Sequence, residues 1–447
     1  MRRSRYNVVV EHGERFWVYN GLSGMLLAVS PDQWRAVGRF LDGDDARPPT
    51  AETLHDLAGG RMIVTDDTDE LEVLGRRYHA STHDRSSFAL TIVTSLGCNF
   101  DCPYCFEAKV PSILDEDTER LLLEVLDEQL PALTSFNVTW YGGEPLLGQE
   151  RLDRLSEAFL ERTAAAGVDY DATIVTNGYL LTPETAGRLR SLGVRSAQIT
   201  LDGPPETHNR MRPLVSGRPT FDVILDNIER AADILPISVR VNLDTSNSAE
   251  AESLLDLLAE RGLGGRISVY PGRIVALDDG VGAPSETYAP SCFTVPEFAR
   301  VERTFLARAR ELGLAHADLP QPVGSPCTAV RANELVVGAR GELYKCWDSV
   351  GNQREVIGHL RSWRDPNDRV LKWLRYDPFT DEGCRACIAL PTCMGGCAHH
   401  AMLDRTGDSK CSTFRTTYRE QVEEFAAAAE AGEVTGLRHA LLPLTPV

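Results

Sequence analysis

The sequence predicts an α/β protein: an incomplete (β/α) barrel of five or six units, preceded by a small α+β module and followed by an irregular, cysteine-rich segment. Three observations carry this. From about Ser87, short β-branched apolar runs alternate with stretches of helical length, the pattern of right-handed βαβ crossovers on a parallel sheet. The chemically distinctive residues follow these runs directly, where barrels of this kind place their chemistry. The 11 cysteines fall into two groups with Cys292 alone between them, and in a reducing compartment clustered cysteines read as metal ligands.

The elements follow in order. "YNVVVEHGERFWVYN" reads as two strands around a Gly-containing turn, and "SPDQWRAVGRFLDG" as a helix capped by Ser30 and closed at Gly43. Helices around "TAETLHDLA" and "DELEVLGRRYHA", with the apolar "RMIV" between them, complete a winged-helix-like module over 1–85. The barrel, 86–285, takes its strands from "FALTIVTSL", "SFNVTWYGG", "YDATIVTNG", "VRSAQITLDG", "ISVRVNLD" and "GRISVYPG". Residues 286–425 read as irregular, with short strands in "NELVVGARGELYKC", few helices until "TTYREQVEEFAAAAEA", and metal to hold them together; 426–447 is a tail.

Composition narrows the function. A net charge of −19, from 65 acidic and 46 basic residues, disfavours nucleic acid as a partner. No apolar run reaches eighteen residues, and the basic N-terminus lacks an apolar signal core, so neither a membrane span nor secretion is expected and the chain is assigned to the cytoplasm.

The loop after the first barrel strand, "CNFDCPYCF", gathers Cys98, Cys102 and Cys105. A structural zinc wants four protein ligands, and His79, His83 or His208 would have to supply the fourth. An iron–sulfur cube instead takes three thiolates and leaves one iron for a ligand that is not protein. The C-x₃-C-x-aromatic-C spacing resembles the signature of radical S-adenosylmethionine (radical SAM) enzymes. In that family the open iron chelates SAM, and one electron releases a 5′-deoxyadenosyl radical. The resemblance implies a partial (β/α)₆ TIM-like barrel and places Tyr104 against the adenine, where the alternative is a packing role. "GGEP" (Gly142, Gly143, Glu144) is similar to the motif that meets the SAM amino group. The glycines admit close backbone approach and Glu144 accepts from an ammonium. "TLDGPPETHNRMR" is similar to a fourth-strand motif that implies Thr200 at the ribose and Arg212 at the carboxylate, a surface ion pair being the other reading of Arg212. Asn177, in "TNG", is a weaker cofactor contact, since Asn-Gly is first a turn signal.

The second group, Cys327, Cys346, Cys384, Cys387, Cys393, Cys397 and Cys411, resembles the SPASM extension of radical SAM enzymes. It implies an outer [4Fe–4S] cluster on Cys384, Cys387, Cys393 and Cys411, and an inner one on Cys327, Cys346 and Cys397. Cys292 is either the inner cluster's last ligand or a buried small hydrophobe. With the SAM cluster this makes three [4Fe–4S] clusters. A zinc ribbon remains the alternative for the C-x₂-C half.

The SPASM-bearing branch mostly modifies peptides and proteins. The expected activity is hydrogen-atom abstraction from a ribosomally made precursor peptide, giving a thioether or carbon–carbon crosslink, with a low-potential electron donor such as flavodoxin or ferredoxin. The N-terminal module is similar in pattern to elements that bind a leader peptide as an added strand, or else is a cap without a ligand. Formylglycine generation on sulfatases is the alternative. That branch tends to place an Asp directly after the cysteine matching Cys346, where this chain has Trp347 and then Asp348, a candidate base on the opposite face if the segment is a strand. A non-catalytic iron–sulfur electron carrier is the third reading.

Overall fold

The computed structural model describes residues 1–44, 47–107, 110–275, 292–365, 367–403 and 409–432. The chain gathers into two compact units that do not follow chain order: Met1–Thr82 with Ala317–Cys327 and Tyr376–Val447, and His83–His316 with Thr328–Arg375.

The first unit opens with β1 (Arg2–Arg3), β2 (Asn7–His12), β3 (Arg15–Asn20), β4 (Met25–Val29) and, after two helices, β5 (Ile63–Val64). β2, β3 and β4 form an antiparallel sheet in that order, and β1 pairs with β5. His12 faces Arg15 across a two-residue hairpin, and Gly13 adopts the left-handed φ of 58° that such a turn requires. Side chains alternate between two cores. Val8, Val10, Trp17, Tyr19 and Leu26 pack with Phe414, Val422 and Phe425 of the helix Phe414–Glu430. Val18 and Val29 pack with Trp34, Val37, Leu57 and Met62. Burial on both faces explains why β4, "MLLAV", shows no polar alternation and is an addition to the two strands read from sequence. The helices Pro31–Leu41 and Ala51–Gly59 start where expected, capped by Ser30 and Thr50.

The second unit holds all six expected strands: β6 (Ser87–Ser95), β7 (Ser135–Gly142), β8 (Asp169–Thr176), β9 (Val194–Thr200), β10 (Ile237–Leu243) and β11 (Ile267–Arg273). They are parallel and adjacent in chain order. Each right-handed crossover therefore steps the same way and lays its helix on the same face. The segment read as irregular contributes more order than expected. β12 (Glu334–Val337) joins the free edge of β6 in parallel, and β13 (Glu342–Tyr344) and β14 (Gly358–His359) extend the sheet antiparallel to nine strands. The helix Val295–Glu311 begins at a capping box of Thr294 and Glu297, so the expectation of few helices there is corrected. Among the described residues no strand closes the sheet into a barrel.

The two faces of this sheet differ. On the helix-covered face, Phe136 and Trp140 of β7 meet Phe159 of the helix Gln149–Ala166 with ring centroids 5.1 and 6.3 Å apart. On the inner face Thr139, Thr173, Ser196, Gln198, Ser238 and Tyr270, with Trp347, line a cavity of about 240 Å³. Barrel interiors are ordinarily filled with branched apolar side chains; here hydroxyl and amide side chains share the lining with Val175 and Trp347 around an open space.

Candidate active site

The C-terminal ends of β6–β10 carry the site. The loop leaving β6 is pinned at both ends of its excursion. Ser95 Oγ donates to the Ser112 carbonyl at 2.8 Å, and Gly97 N–H donates back to Ser95 Oγ at 3.0 Å. Farther out it is stitched to the segment beyond the fourth strand, with Asp101 N–H on Pro213 O at 2.8 Å and Val215 N–H on Asn99 O at 2.9 Å. Phe100, fully buried, meets Tyr179 edge-on at 6.0 Å. Within this frame Cys102 is buried and Cys98 and Cys105 are half-buried. A turn bonds Cys105 N–H to Cys102 O at 3.3 Å. Cys98 Sγ accepts from Phe100 N–H at 3.4 Å and lies 4.0 Å from Asn177 Nδ2. Burial pushes the Cys98 thiol up to about 11, with Glu144 and Cys102 adding to the effect and Arg212 opposing it. Such a thiol gives up its proton to a metal rather than to water.

Two of the histidines considered as a fourth ligand, His208 and His83, do not serve. His208 has both ring nitrogens engaged, Nδ1 with Asp202 N–H at 3.3 Å and Nε2 with Thr220 Oγ1 at 3.1 Å. His83 is exposed before the start of β6, and nine extended residues separate the two strand ends by roughly 30 Å. His79 belongs to the first unit.

The glycines of "GGEP" also serve the protein's own backbone. Gly142 has φ +127°, and a Cβ there would sit 2.2 Å from Ser95 O. Gly143 N–H donates to Ser95 O and Glu144 N–H to Gly97 O, both at 3.0 Å. The close approach is to the backbone of the thiol loop itself, and the motif fastens the second strand end to the first. Glu144 is fully buried. Its Oε1 accepts from Leu146 N–H at 3.0 Å and Thr176 Oγ1 at 2.8 Å, and its Oε2 from Asn177 N–H at 2.7 Å. Burial raises its carboxyl against the pull of these three donors. Asn177 forms the expected turn, Oδ1 to Tyr179 N–H at 3.0 Å, and also reaches the thiol loop through Nδ2 and Asn99 Oδ1 at 2.7 Å.

Tyr104 and Arg212 meet in a buried polar group that sequence reasoning did not assemble. The Tyr104 hydroxyl donates to Asp202 Oδ2 and accepts from Arg212 Nη1 at 2.5 Å and from Asn242 Nδ2 at 3.4 Å. Asp202 Oδ1 takes Asn242 N–H at 3.0 Å. Burial raises both Tyr104 and Asp202, Arg212 opposing each. Arg212 is largely covered, its side chain 11% exposed, and lies 3.9 Å from Asp202, with its guanidinium 5.7 Å from the Phe100 ring centre. Thr200 shares the inner face of β9 with Ser196 and Gln198.

Asp348 requires a correction of premise. Residues Trp347–Ser349 form a 3-10 turn rather than a strand, so neighbouring side chains are not sent to opposite faces. Trp347 lines the cavity, its ring 5.0 Å from that of Tyr141. Asp348 acts electrostatically on Tyr141 and on Glu107. Glu107, two residues past Cys105, is a site residue the sequence did not reveal. It is 6% exposed, bonded to Tyr141, and its Oε2 is buried without a partner. Burial raises its carboxyl to about 7, with Asp348 and Glu144 adding and Tyr141 opposing.

The first unit assembles the outer thiol set. Asp381 caps the helix Glu382–Ala386 by accepting Cys384 N–H at 3.0 Å, and Cys387 N–H closes on Cys384 O at 3.0 Å. After Cys393 the chain turns through Met394, Gly395 and Gly396, all at positive φ. A Cβ on Gly396 would lie 1.9 Å from Lys410 O, and Cys397 N–H bonds that same carbonyl at 2.9 Å, which brings in Cys411, next in the chain. Burial raises the Cys393 thiol to about 11, with Cys387, Cys384 and Cys411 all contributing, so the four thiols share one neighbourhood. The inner set is divided: Cys327 and Cys397 belong to the first unit, Cys346 and Cys292 to the second.

With that geometry in place, residues 92–258 match the model of the radical SAM superfamily. This chain carries a radical SAM domain. Over 182 residues it is 28% identical to the GTP 3′,8-cyclase of Sulfurovum sp., covering 39% of this chain, and it spans only about half of that relative, 52%. Over 337 residues it is 23% identical to a serine-type anaerobic sulfatase-maturating enzyme of Klebsiella aerogenes, covering 70% of this chain and 79% of that one. Among solved structures, SuiB of Streptococcus suis bound to precursor peptide SuiA shares the fold, with a TM-score of 0.52, 11% identity, and coverage of 92% of this chain and 99% of that one. Among the described residues no helix is long and apolar enough to cross a membrane.

The radical SAM domain's residues fit a cationic, carboxylate-bearing cofactor on three thiolates. Arg212 Nε is buried with no partner, an unmet donor suited to a carboxylate. Glu144 Oε2 has one partner where a carboxylate oxygen accepts two, which suits an ammonium.

Proposed function

We propose that this chain is a radical SAM peptide maturase that takes a hydrogen atom from a residue of a ribosomally made precursor peptide and forms a thioether or carbon–carbon crosslink. The observation that carries the reading is the cavity on the inner face of the sheet, about 240 Å³ and lined by Thr139, Thr173, Val175, Gln198, Tyr270 and Trp347, a space for one substrate side chain. Bound SAM and its cluster supply the one-electron reduction and the hydrogen-atom acceptor. Cys98, Cys102 and Cys105 hold that cluster, Glu144 the amino group, Arg212 the carboxylate and Thr200 the ribose. Tyr104 and Asn177 brace the loop through Asp202, Asn242 and Asn99. Fixed in dry surroundings before cofactor arrives, these groups need little reorganisation.

Cys384, Cys387, Cys393 and Cys411 hold an outer [4Fe–4S] cluster in this reading. Cys327, Cys346 and Cys397, with Cys292, hold an inner one, an electron acceptor during crosslinking. A flavodoxin or ferredoxin in the cytoplasm supplies the electron. The leader binds at β4, whose outer edge has no strand partner among the described residues, by strand addition. Formylglycine generation stands beside this reading because Asp348 directly follows Trp347, a residue of the cavity lining, and in that reading it is the base. No observation favours a bare electron carrier.

Anaerobically reconstituted protein given dithionite and SAM is expected to release 5′-deoxyadenosine; its absence overturns the reading. Co-expression with a peptide encoded beside its gene should remove a pair of hydrogens from the peptide without creating an aldehyde. A product trapped by a hydrazine probe selects formylglycine instead.

A further inference from the structure

At the outer thiol set two cations stand against cysteine sulfurs. Arg415 Nη1 donates to Cys411 Sγ at 3.1 Å. Lys410 Nζ is 2.6 Å from Asp381 Oδ2 with its side chain 18% exposed, and it acts on both Cys384 and Cys411. Lys410 cannot drift away. Its carbonyl is locked by Cys397 N–H and crowded by Gly396, and its ammonium is tied to the carboxylate whose other oxygen caps Cys384.

We propose that Arg415 and Lys410 are positioning residues that raise the reduction potential of the cluster held by Cys384, Cys387, Cys393 and Cys411. This rests on the reading that these four thiols hold a [4Fe–4S] cluster. The couple is a one-electron reduction, which takes the four-thiolate site from dianionic to trianionic, the added electron coming from the reductant in the titration. A nearby cation stabilises the trianion more than the dianion, and a hydrogen bond to sulfur does the same. Lys410 contributes less than its full charge because Asp381 offsets part of it; Arg415 donates to sulfur directly.

The test is a mediated redox titration of anaerobically reconstituted protein followed by electron paramagnetic resonance. The double variant Cys384→Ala/Cys393→Ala identifies the outer signal as the one it loses. In Arg415→Gln and Lys410→Met that signal is expected to titrate at a more negative potential than in the parent, Arg415→Gln showing the larger shift. Arg415→Lys and Lys410→Arg should return part of each shift. Midpoints unchanged in both neutral variants overturn the inference while leaving the cluster assignment standing. A double variant with the iron content and spectrum of the parent overturns the assignment itself, and the inference with it. Should Lys410→Met fail to load iron, Arg415→Gln decides, because Arg415 is exposed on the helix Phe414–Glu430.

Discussion

The two thiol sites differ in what surrounds the sulfur. The Cys98 loop sits among carboxylates, with Glu144, Glu107 and Asp202 all buried and Arg212 the charge that opposes Asp202. The Cys384 site sits among cations, Lys410 and Arg415, with Asp381 as their counterweight. The first surroundings suit the arrival of a positively charged cofactor. The second suit an anionic cluster that is complete once its four ligands are in place. Three sulfurs with acids and four sulfurs with bases are thus two solutions to two electrostatic problems.

The sharpest way to break this contrast is at the sulfurs. Replacing Cys98, Cys102 and Cys105 together with Ala should reduce 5′-deoxyadenosine release to background and remove about four irons per chain, while the signal of the outer site persists. Loss of both would show that the sites are not independent.

Next in size is Arg212. Arg212→Lys keeps the charge but loses the fork, and SAM affinity measured by calorimetry should fall about tenfold. Arg212→Met leaves Asp202 without its counter-charge and should cost about 2–5 kcal/mol of binding. Equal affinities in parent and Arg212→Lys would remove the bidentate role.

Glu107 tests how acidic the first site is. Between pH 4.5 and about 7 the unfolded carboxyl has lost its proton while the folded one keeps it. Stability therefore falls as pH rises through this window, and the penalty is fully present above it. At about 1.4 kcal/mol per decade, Glu107→Gln should stabilise the metal-free chain by up to ~3 kcal/mol at pH 8. It should be neutral below pH 4.5, as read from denaturant midpoints. A gain independent of pH would assign the effect to packing.

The smallest effect lies at the outer site. Asp381→Ala removes the cap on Cys384 and the partner of Lys410, and should destabilise the chain by about 1 kcal/mol. Asp381→Asn, which can still cap, should recover most of it.

Much of this was legible from the chain, and the failures have physical causes. The six barrel strands stood out because each is a short run rich in β-branched residues, with buried positions alternating in β8 and β10, set between stretches of helical length. β12 did not, since its pairing with β6 joins residues far apart in sequence, Val336 to Thr91, and no local pattern encodes a distant register. The helix Val295–Glu311 carries a readable capping box in "TVPE" that the surrounding Pro and Gly masked. In the site, cysteines declare themselves by spacing, whereas Asp202 and Asn242 act on Tyr104 from 98 and 138 residues away. The aspartate in "LDG" at a strand end was the available signal. Glu107 left none, because its role depends on Tyr141 folding over from the neighbouring strand.

The unclosed sheet has a topological consequence. A tube with complete walls must be threaded from an end, so it admits only termini. Among the described residues the sheet ends at β11 and β14, and under the proposed reading a polypeptide enters by that side, bent at the residue to be altered, with both of its ends trailing in solvent. On that reading a long chain modified at an interior position is as accessible to this scaffold as a short one.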